Sequence, residues 1–174
     1  MGLRTRYWKE ITAAATEHKL DPVLVEAVVV QESAGNTDAF RFEKDFWNRL
    51  MKPNPRYASL NPRRYASSYG LMQPMWVVAT ERGLDTKLPP EMLFIPEIGL
   101  KWGCRQLAYL TAWADQGWPQ VAQPDRLLAI LASYNGGRGG NIPGTPLRPQ
   151  NRAYALSVLK HYQTLTSEHQ PPNL

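Results

Sequence analysis

The apolar run Ala27-Val28-Val29-Val30, followed two positions later by Glu32, limits what this chain can fold into more than any other feature. The run is preceded by Asp21 and Pro22, a typical helix start, because an aspartate side chain caps free backbone N–H groups and proline suits the first helical position. Gly35 supplies a stop signal beyond the run. The pattern predicts a helix from about Pro22 to Ser33 in the core of a helical domain, with Glu32 at the rim of that core.

The position of Glu32 indicates a role in catalysis. Removing a carboxylate from water costs free energy unless the group is paired, protonated or used. A glutamate donates a proton near neutral pH only when an apolar setting raises its pKa. Because Glu32 closes an apolar helix, it is a candidate proton donor.

Helical periodicity recurs over most of the 174 residues, and no segment shows a convincing strand alternation. Further helices are predicted at about 7–18, 38–50, 71–82, 96–115, 127–134 and 150–166, joined by turns rich in glycine and proline. The fold class predicted is all-α, with a single domain. That domain spans residues 1–174, with a core of about 20–163, an insertion of about 38–68 and a frayed tail at about 168–174.

The composition argues against several kinds of site and partner. Cys104 is the only cysteine and the three histidines are scattered, so no disulfide, metal site or cofactor is expected. The net charge of +5 fits either a polyanionic partner or simple solubility. Charged residues among the first ten positions argue against a signal peptide, and the lack of an apolar stretch of about 18 residues argues against a membrane span.

Four short segments combine a helix end or a turn with polar side chains. They are Glu32-Ser33, Gly70-Leu71-Met72-Gln73, Ser133-Tyr134-Asn135-Gly136-Gly137 and the pair Tyr154 and Tyr162 of the last predicted helix. With these motifs in this order, the chain resembles the soluble lytic transglycosylases of the goose-lysozyme-like superfamily over about residues 20–163. The resemblance implies a lysozyme-like fold with a short irregular β or loop insertion between residues 36 and 69.

The resemblance also implies an activity. Such enzymes cleave the β-1,4 bond between N-acetylmuramic acid and N-acetylglucosamine in peptidoglycan without a cofactor, and they leave 1,6-anhydromuramic ends. One glutamate, here Glu32, acts as acid and then as base, helped by the N-acetyl group of the substrate. Most glycosidases instead pair two carboxylates.

The same motifs imply which residues touch the sugar. The substrate contacts predicted are Ser33, Met72, Gln73, Tyr134, Asn135, Gln150 and Tyr154. For Ser33 the alternative is a bond to local backbone only, which is common for serine at a helix end. Trp102 and Tyr162 are predicted to pack in the core, since aromatic side chains at helical spacing usually do.

Two features depart from the family pattern. Gln150 stands where relatives often carry a second glutamate, four residues before the first tyrosine of the last helix. Glu32 and Gly70 lie 38 positions apart, a longer gap than is common in the family, and the excess contains Glu43 and Asp45. We interpret Glu43 and Asp45 as parts of a solvated helix face. The alternative is that one of them enters the site and shifts the chemistry toward hydrolysis.

The preferred function is therefore a peptidoglycan lytic transglycosylase. Its rivals are a hydrolytic muramidase on the same fold and a peptidoglycan-binding module without turnover. A nucleic-acid partner is not expected, because the arginines form no dense patch. We expect a monomer that acts at the cell wall or periplasm. Without a signal peptide it would be exported by a phage, virion or secretion component, of which a bacteriophage endolysin is favoured.

Overall fold

The computed structural model describes residues 2–170. Eight α-helices and one two-stranded antiparallel sheet form in this part of the chain. The helices are α1 Trp8–Glu17, α2 Pro22–Ser33, α3 Lys44–Phe46, α4 Pro62–Tyr65, α5 Trp76–Glu81, α6 Pro96–Gly117, α7 Asp125–Gly136 and α8 Pro149–His169. The strands are β1 Phe40–Phe42 and β2 Ser67–Tyr69. A π-helical turn, Trp47–Met51, follows α3, and a 3-10 turn, Pro90–Phe94, precedes α6.

Helix α2 lies in the main hydrophobic cluster, where it packs against α1 and α8. Its residues Val25, Ala27, Val28 and Val29 are fully buried. Burying one valine or leucine side chain stabilises a fold by about 1.5–3 kcal/mol, so this helix anchors the cluster. A second cluster lies under the sheet and includes Trp47, Tyr69 and Trp76 among its buried residues.

The ends of α2 follow from its sequence. The side chain of Asp21 accepts a hydrogen bond of 2.8 Å from the backbone N–H of Val23, as expected of the predicted cap. At the other end Ala34 adopts a left-handed conformation with φ +50°, which terminates the helix just before Gly35. Because the helix stops there, Glu32 lies in its last turn.

The helix predicted at 38–50 is wrong in its first part. Residues 40–42 form β1, which pairs with β2 so that Phe40 faces Tyr69 and Phe42 faces Ser67. Helical structure begins only at Lys44. Each strand has three residues, too few for an alternating pattern to stand out. The short β insertion in a helical fold agrees with what the resemblance implies.

The helix predicted at 71–82 begins only at Trp76. Gly70 and Gln73 have positive φ values of +64° and +51°, which no right-handed helix contains. Glycine suits the first position because a Cβ there would lie 2.8 Å from the carbonyl oxygen of Leu93. Residues 70–75 are therefore a tight turn beside the end of α2.

The last helix is longer than predicted. Glu168 and His169 belong to α8, so the frayed tail begins too early in the prediction. The carboxylate of Glu168 accepts hydrogen bonds of 3.0 Å from the backbone N–H of Leu3, which ties the end of α8 to the start of the chain. The rest of the predicted tail, residues 171–174, lies outside the described residues. Between residues 2 and 170, no helix is both long and apolar enough to cross a membrane.

Candidate active site

A cleft of about 360 Å³ opens where the two hydrophobic clusters meet. The end of α2, the β-hairpin, α6 and the end of α7 all contribute to its walls. Four predicted site residues line it: Glu32, Gln73, Tyr134 and Asn135. A second, more open depression, lined by His18 and by residues at the end of α5 and on α6, contains none of the predicted site residues.

Glu32 reaches the cleft from the last turn of α2. The hydroxyl of Tyr154 donates a hydrogen bond of 2.6 Å to its Oε1. Burial raises the pKa of Glu32 and is the largest influence on it. The Tyr154 hydrogen bond and the Arg41 charge lower the pKa, while the Glu43 charge raises it. The carboxyl therefore keeps its proton to a higher pH than a free glutamate does.

Two neutral tyrosines, Tyr134 and Tyr154, lie near the Glu32 carboxyl. The hydroxyl of Tyr134 donates to the backbone carbonyl of Met72 at 2.9 Å. Burial raises the pKa of both Tyr134 and Tyr154 well above the ordinary value for tyrosine, and the neighbouring Glu32 adds to that effect. Neither phenol ionises at neutral pH, so each acts as a fixed O–H donor.

Met72 and Ser33 lie behind the cleft. The Met72 side chain is fully buried beside α6, where a Cβ on Gly103 would approach its sulfur to 2.6 Å. The Ser33 hydroxyl lies 2.8 Å from the carbonyl oxygen of Leu71 and 3.1 Å from that of Val29. Of the two predicted roles for Ser33, these contacts fit the backbone partner. The serine fastens the end of α2 to the turn at residues 70–75.

Gln73 is held by the backbone around it. Its side-chain amide nitrogen donates to the carbonyl oxygens of Gly70 at 2.9 Å and Ala39 at 3.0 Å. An amide NH₂ group has two hydrogens, and both are used here. The amide oxygen is therefore the group that Gln73 can offer to a ligand in the cleft.

A chain of three asparagines, which sequence reasoning missed, fixes Asn135. The side chain of Asn135 donates to Asn151 at 3.0 Å, and Asn151 donates to Asn141 at 3.2 Å. Asn141 in turn donates to the carbonyl oxygen of Gly137 at 2.7 Å. Asn141 and Asn151 are buried, and buried amides are rarely left without partners. Asn151, three residues before Tyr154, is the one feature of the sequence that could have indicated this network.

The hairpin contributes charged groups that the sequence interpretation misjudged. Glu43 lines the cleft, where its Oε1 accepts hydrogen bonds from Arg41 Nε at 2.6 Å and from the Ser68 hydroxyl at 3.0 Å. Asp45, two residues further on, is exposed and does not line the cleft. The interpretation as a solvated helix face is therefore correct for Asp45 and wrong for Glu43.

Two other predictions need correction. Trp102, expected in the core, packs on the second cluster but is only partly buried and also lines the cleft. Gln150, expected to touch substrate, is exposed in the first turn of α8 and does not line the cleft. Tyr162 packs partly on the main cluster as predicted, and its hydroxyl donates to Asp21 at 2.6 Å.

The arrangement suits acid catalysis on a polar, neutral ligand. A carboxyl with a raised pKa can deliver a proton, and amide groups around it can recognise hydroxyl and acetamido groups. The lone thiol is no candidate nucleophile, because Cys104 is fully buried and burial raises its pKa to about 12.

One solved structure has a similar fold. The chain has 18% identity to the lytic transglycosylase Slt from Pseudomonas aeruginosa, whose X-ray structure was solved for an inactive mutant, with a TM-score of 0.62. The match covers 94% of this chain and 24% of that one, so the chain spans about a quarter of Slt. This likeness confirms the predicted lysozyme-like fold. No curated protein matches the chain significantly.

The sequence profile of the transglycosylase SLT domain matches residues 9–143, which is more than three quarters of the chain. The matched segment includes all but the first residue of α1, together with α2, the turn at residues 70–75, α6 and α7. Helix α8, which supplies Tyr154, lies beyond it. By this match the chain belongs to the transglycosylase SLT domain family.

Proposed function

We propose that this protein is a peptidoglycan lytic transglycosylase, which cleaves the β-1,4 bond between N-acetylmuramic acid and N-acetylglucosamine and leaves 1,6-anhydromuramic ends. The observation that carries the proposal is Glu32, a half-buried carboxyl with a raised pKa in a cleft lined by amides. Family membership and the likeness to Slt, which is named a lytic transglycosylase, support the substrate class.

In the proposed mechanism Glu32 is first an acid. It donates its proton to the glycosidic oxygen, and the bond from that oxygen to C1 of the muramic sugar breaks with its electron pair on the oxygen. Positive charge develops at C1, where the carbonyl oxygen of the sugar's own N-acetyl group stabilises it. No protein nucleophile is required.

Glu32 is then a base. Its carboxylate accepts the proton of the C6 hydroxyl while O6 bonds to C1, so the glutamate regains its proton and no water is consumed. Tyr154 assists between the two transfers, because its 2.6 Å hydrogen bond stabilises the carboxylate form. Burial favours the protonated form of Glu32, and the Tyr154 hydrogen bond favours its ionised form. Glu32 can therefore act first as an acid and then as a base.

Roles for the other residues follow from their free groups. Gln73 accepts hydrogen bonds from sugar N–H or O–H groups through its amide oxygen, and Asn135 contacts sugar hydroxyls. Tyr134 offers its ring, because its hydroxyl is used on Met72. Ser33, which fastens α2 to the turn at residues 70–75, is a positioning residue.

A digest of purified sacculi tests the proposal. Mass spectrometry of wild-type products is expected to find muramic ends lighter by one water than hydrolysed ends. Glu32→Gln is expected to lower the rate about 10²–10⁴-fold, because it removes the acid and the base together. Asp45→Asn, an exposed change outside the cleft, is the matched control. Full activity of Glu32→Gln would refute glycosidic cleavage by this residue.

A second candidate, a hydrolytic muramidase, is favoured by the presence of Glu43 in the cleft, since hydrolytic glycosidases commonly use a second carboxylate. It would release reducing muramic ends, so the same digest separates the two activities. The enzyme is proposed to act at the cell wall as a monomer. Export by a phage, virion or secretion component is part of the proposal, and fractionation of producing cells tests it.

A further inference from the structure

A second carboxylate shares the cleft with Glu32. Glu43 directly follows β1 and precedes α3, so it comes from the hairpin rather than from α2. Its side chain is 26% exposed and lines the cleft. Its backbone N–H donates to the carbonyl oxygen of Ala66 at 2.9 Å, which fixes its main chain against the opposite strand segment.

Two donors hold the Glu43 carboxylate in one orientation. Arg41 Nε at 2.6 Å and the Ser68 hydroxyl at 3.0 Å both bond to Oε1. Ser68 lies in β2 and is itself buried, so the surrounding packing restricts this donor. Because both donors use the same oxygen, Oε2 is the oxygen that can face a ligand.

The charges that act on Glu32 come from this same hairpin. Arg41 lowers the pKa of Glu32 and Glu43 raises it, while the neighbours from α7 and α8, Tyr134 and Tyr154, are neutral phenols. The two hairpin charges therefore act on Glu32 in opposite directions. Because Glu43 lines the same cleft as the half-buried Glu32, its charge acts on that acid.

We infer that Glu43 is a second working carboxylate of this site, which stabilises the positive charge that develops on the muramic sugar as its glycosidic bond breaks. The inference rests on the proposed function and deepens it. No proton passes through Glu43 and no bond forms to it. Its negative charge attracts the cationic C1 of the breaking sugar.

This role assigns a function to the unusual insertion. Gln150, at the position where relatives often have a second glutamate, is exposed and outside the cleft. The hairpin of residues 40–69 brings the Glu43 carboxylate to the cleft. The negative charge is supplied by the insertion instead of by the last helix.

The test compares Glu43→Gln with the exposed control Asp45→Asn on purified glycan strands. Glu43→Gln is expected to lower kcat about tenfold or more with little change in KM, because the charge matters only as the bond breaks. The anhydro character of the products is expected to remain. Ser68→Ala, which keeps the charge but removes one donor, is expected to lower kcat less.

The pH profile adds a readout that a structural role would not produce. Activity requires protonated Glu32 and is lost as pH rises through its pKa. Removing the negative charge in Glu43→Gln lowers that pKa, so the basic limb moves to lower pH. Removing the positive charge in Arg41→Gln moves the basic limb to higher pH. Opposite shifts from two neighbouring positions are the signature of charge acting on Glu32.

Each result decides the inference. A drop in kcat with unchanged product ends and opposite pH shifts supports it. It is overturned if Glu43→Gln matches Asp45→Asn in rate and pH profile. It is also overturned if wild type releases reducing ends that the variant lacks, since Glu43 would then activate water. The Glu32→Gln digest tests the proposed function separately, so failure of one is not mistaken for failure of the other.

Discussion

The two glutamates of α2 are both sheltered from water, yet they are treated very differently. Glu26 is fully buried and accepts hydrogen bonds from the Thr5 backbone N–H at 2.7 Å and its hydroxyl at 3.0 Å, with His169 Nε2 at 2.7 Å from the other oxygen. Glu32 receives one hydrogen bond, from Tyr154. Both oxygens of Glu26 have partners within the protein, whereas Glu32 has one protein donor and lines the cleft. Burial alone therefore does not mark a chemical group; partial burial at an open cleft, with a raised pKa, does.

The two ends of α2 consequently have separate tasks. Around Glu26, the start of the chain meets the end of α8, where Trp8 stacks on His169 with ring centroids 3.9 Å apart. Around Glu32, the helix meets a cleft. One end holds distant parts of the chain together, and the other presents a proton. Substitutions at the two ends should thus separate stability from activity.

The largest expected effect is on stability, from Glu26→Ala. Removing one partner of a buried, hydrogen-bonded pair costs about 3–5 kcal/mol, because the groups that faced it lose their acceptor. Glu26→Gln, which keeps one acceptor oxygen, is expected to cost less. Urea unfolding measures both. An unfolding free energy equal to that of wild type would show that Glu26 is no tie between the termini, and the comparison would fail at that end.

Next in size is the effect of Tyr154→Phe at the other end. Loss of its hydrogen bond removes stabilisation of the Glu32 carboxylate, so kcat is expected to fall about tenfold. Because that bond lowers the pKa of Glu32, its loss raises the pKa, and the basic limb of the pH profile moves to higher pH. Tyr162→Phe, a matched change away from the cleft on the same helix, serves as the control. A limb that moved to lower pH would contradict this account.

Much of the structure could be predicted from local signals. The limits of α2 followed from Asp21, Pro22 and Gly35, and the ordered motifs placed Glu32, Gln73, Tyr134 and Asn135 correctly at one cleft. These features depend on residues close in sequence or on patterns shared with a family.

What could not be predicted depends on contacts distant in sequence. The Tyr154 bond to Glu32 spans 122 positions, and the pairing that brings Ser68 to Glu43 spans 25. Before β1 and β2 pair, the charge pattern of residues 41–45 is indistinguishable from that of an exposed helix face. The tight turn after Gly70 was missed because a positive φ at a glutamine leaves no signal in sequence.

A smaller effect is expected from Ser33→Ala, which tests what fastens the working end of α2. The hydroxyl bonds across 38 positions to the carbonyl oxygen of Leu71, and a hydrogen bond of this kind contributes about 1 kcal/mol. Unfolding free energy is expected to fall by that amount. Ser167→Ala, an exposed change on α8, is the control. No loss of stability would mean that the turn at residues 70–75 holds its place without α2.

The smallest expected effect is on the unfolding free energy of Glu32→Gln. It distinguishes the two glutamates most clearly, because this variant is expected to gain stability whereas Glu26→Ala is expected to lose it. Burial raises the pKa of Glu32 above its ordinary value of 4.5, so ionising this group disfavours the folded state. Wild-type stability therefore declines as pH rises from the unfolded pKa through the folded one, while Glu32→Gln has no such decline.

At neutral pH the variant is expected to be more stable by about 0.5–1 kcal/mol, a common gain when a strained functional group is neutralised. Unfolding measured at pH 7 and well below pH 4.5 checks this, since Glu32 is then neutral in both the folded and the unfolded chain and the two stabilities should converge. A variant less stable than wild type at neutral pH would place Glu32 with Glu26, as a carboxylate kept for structure.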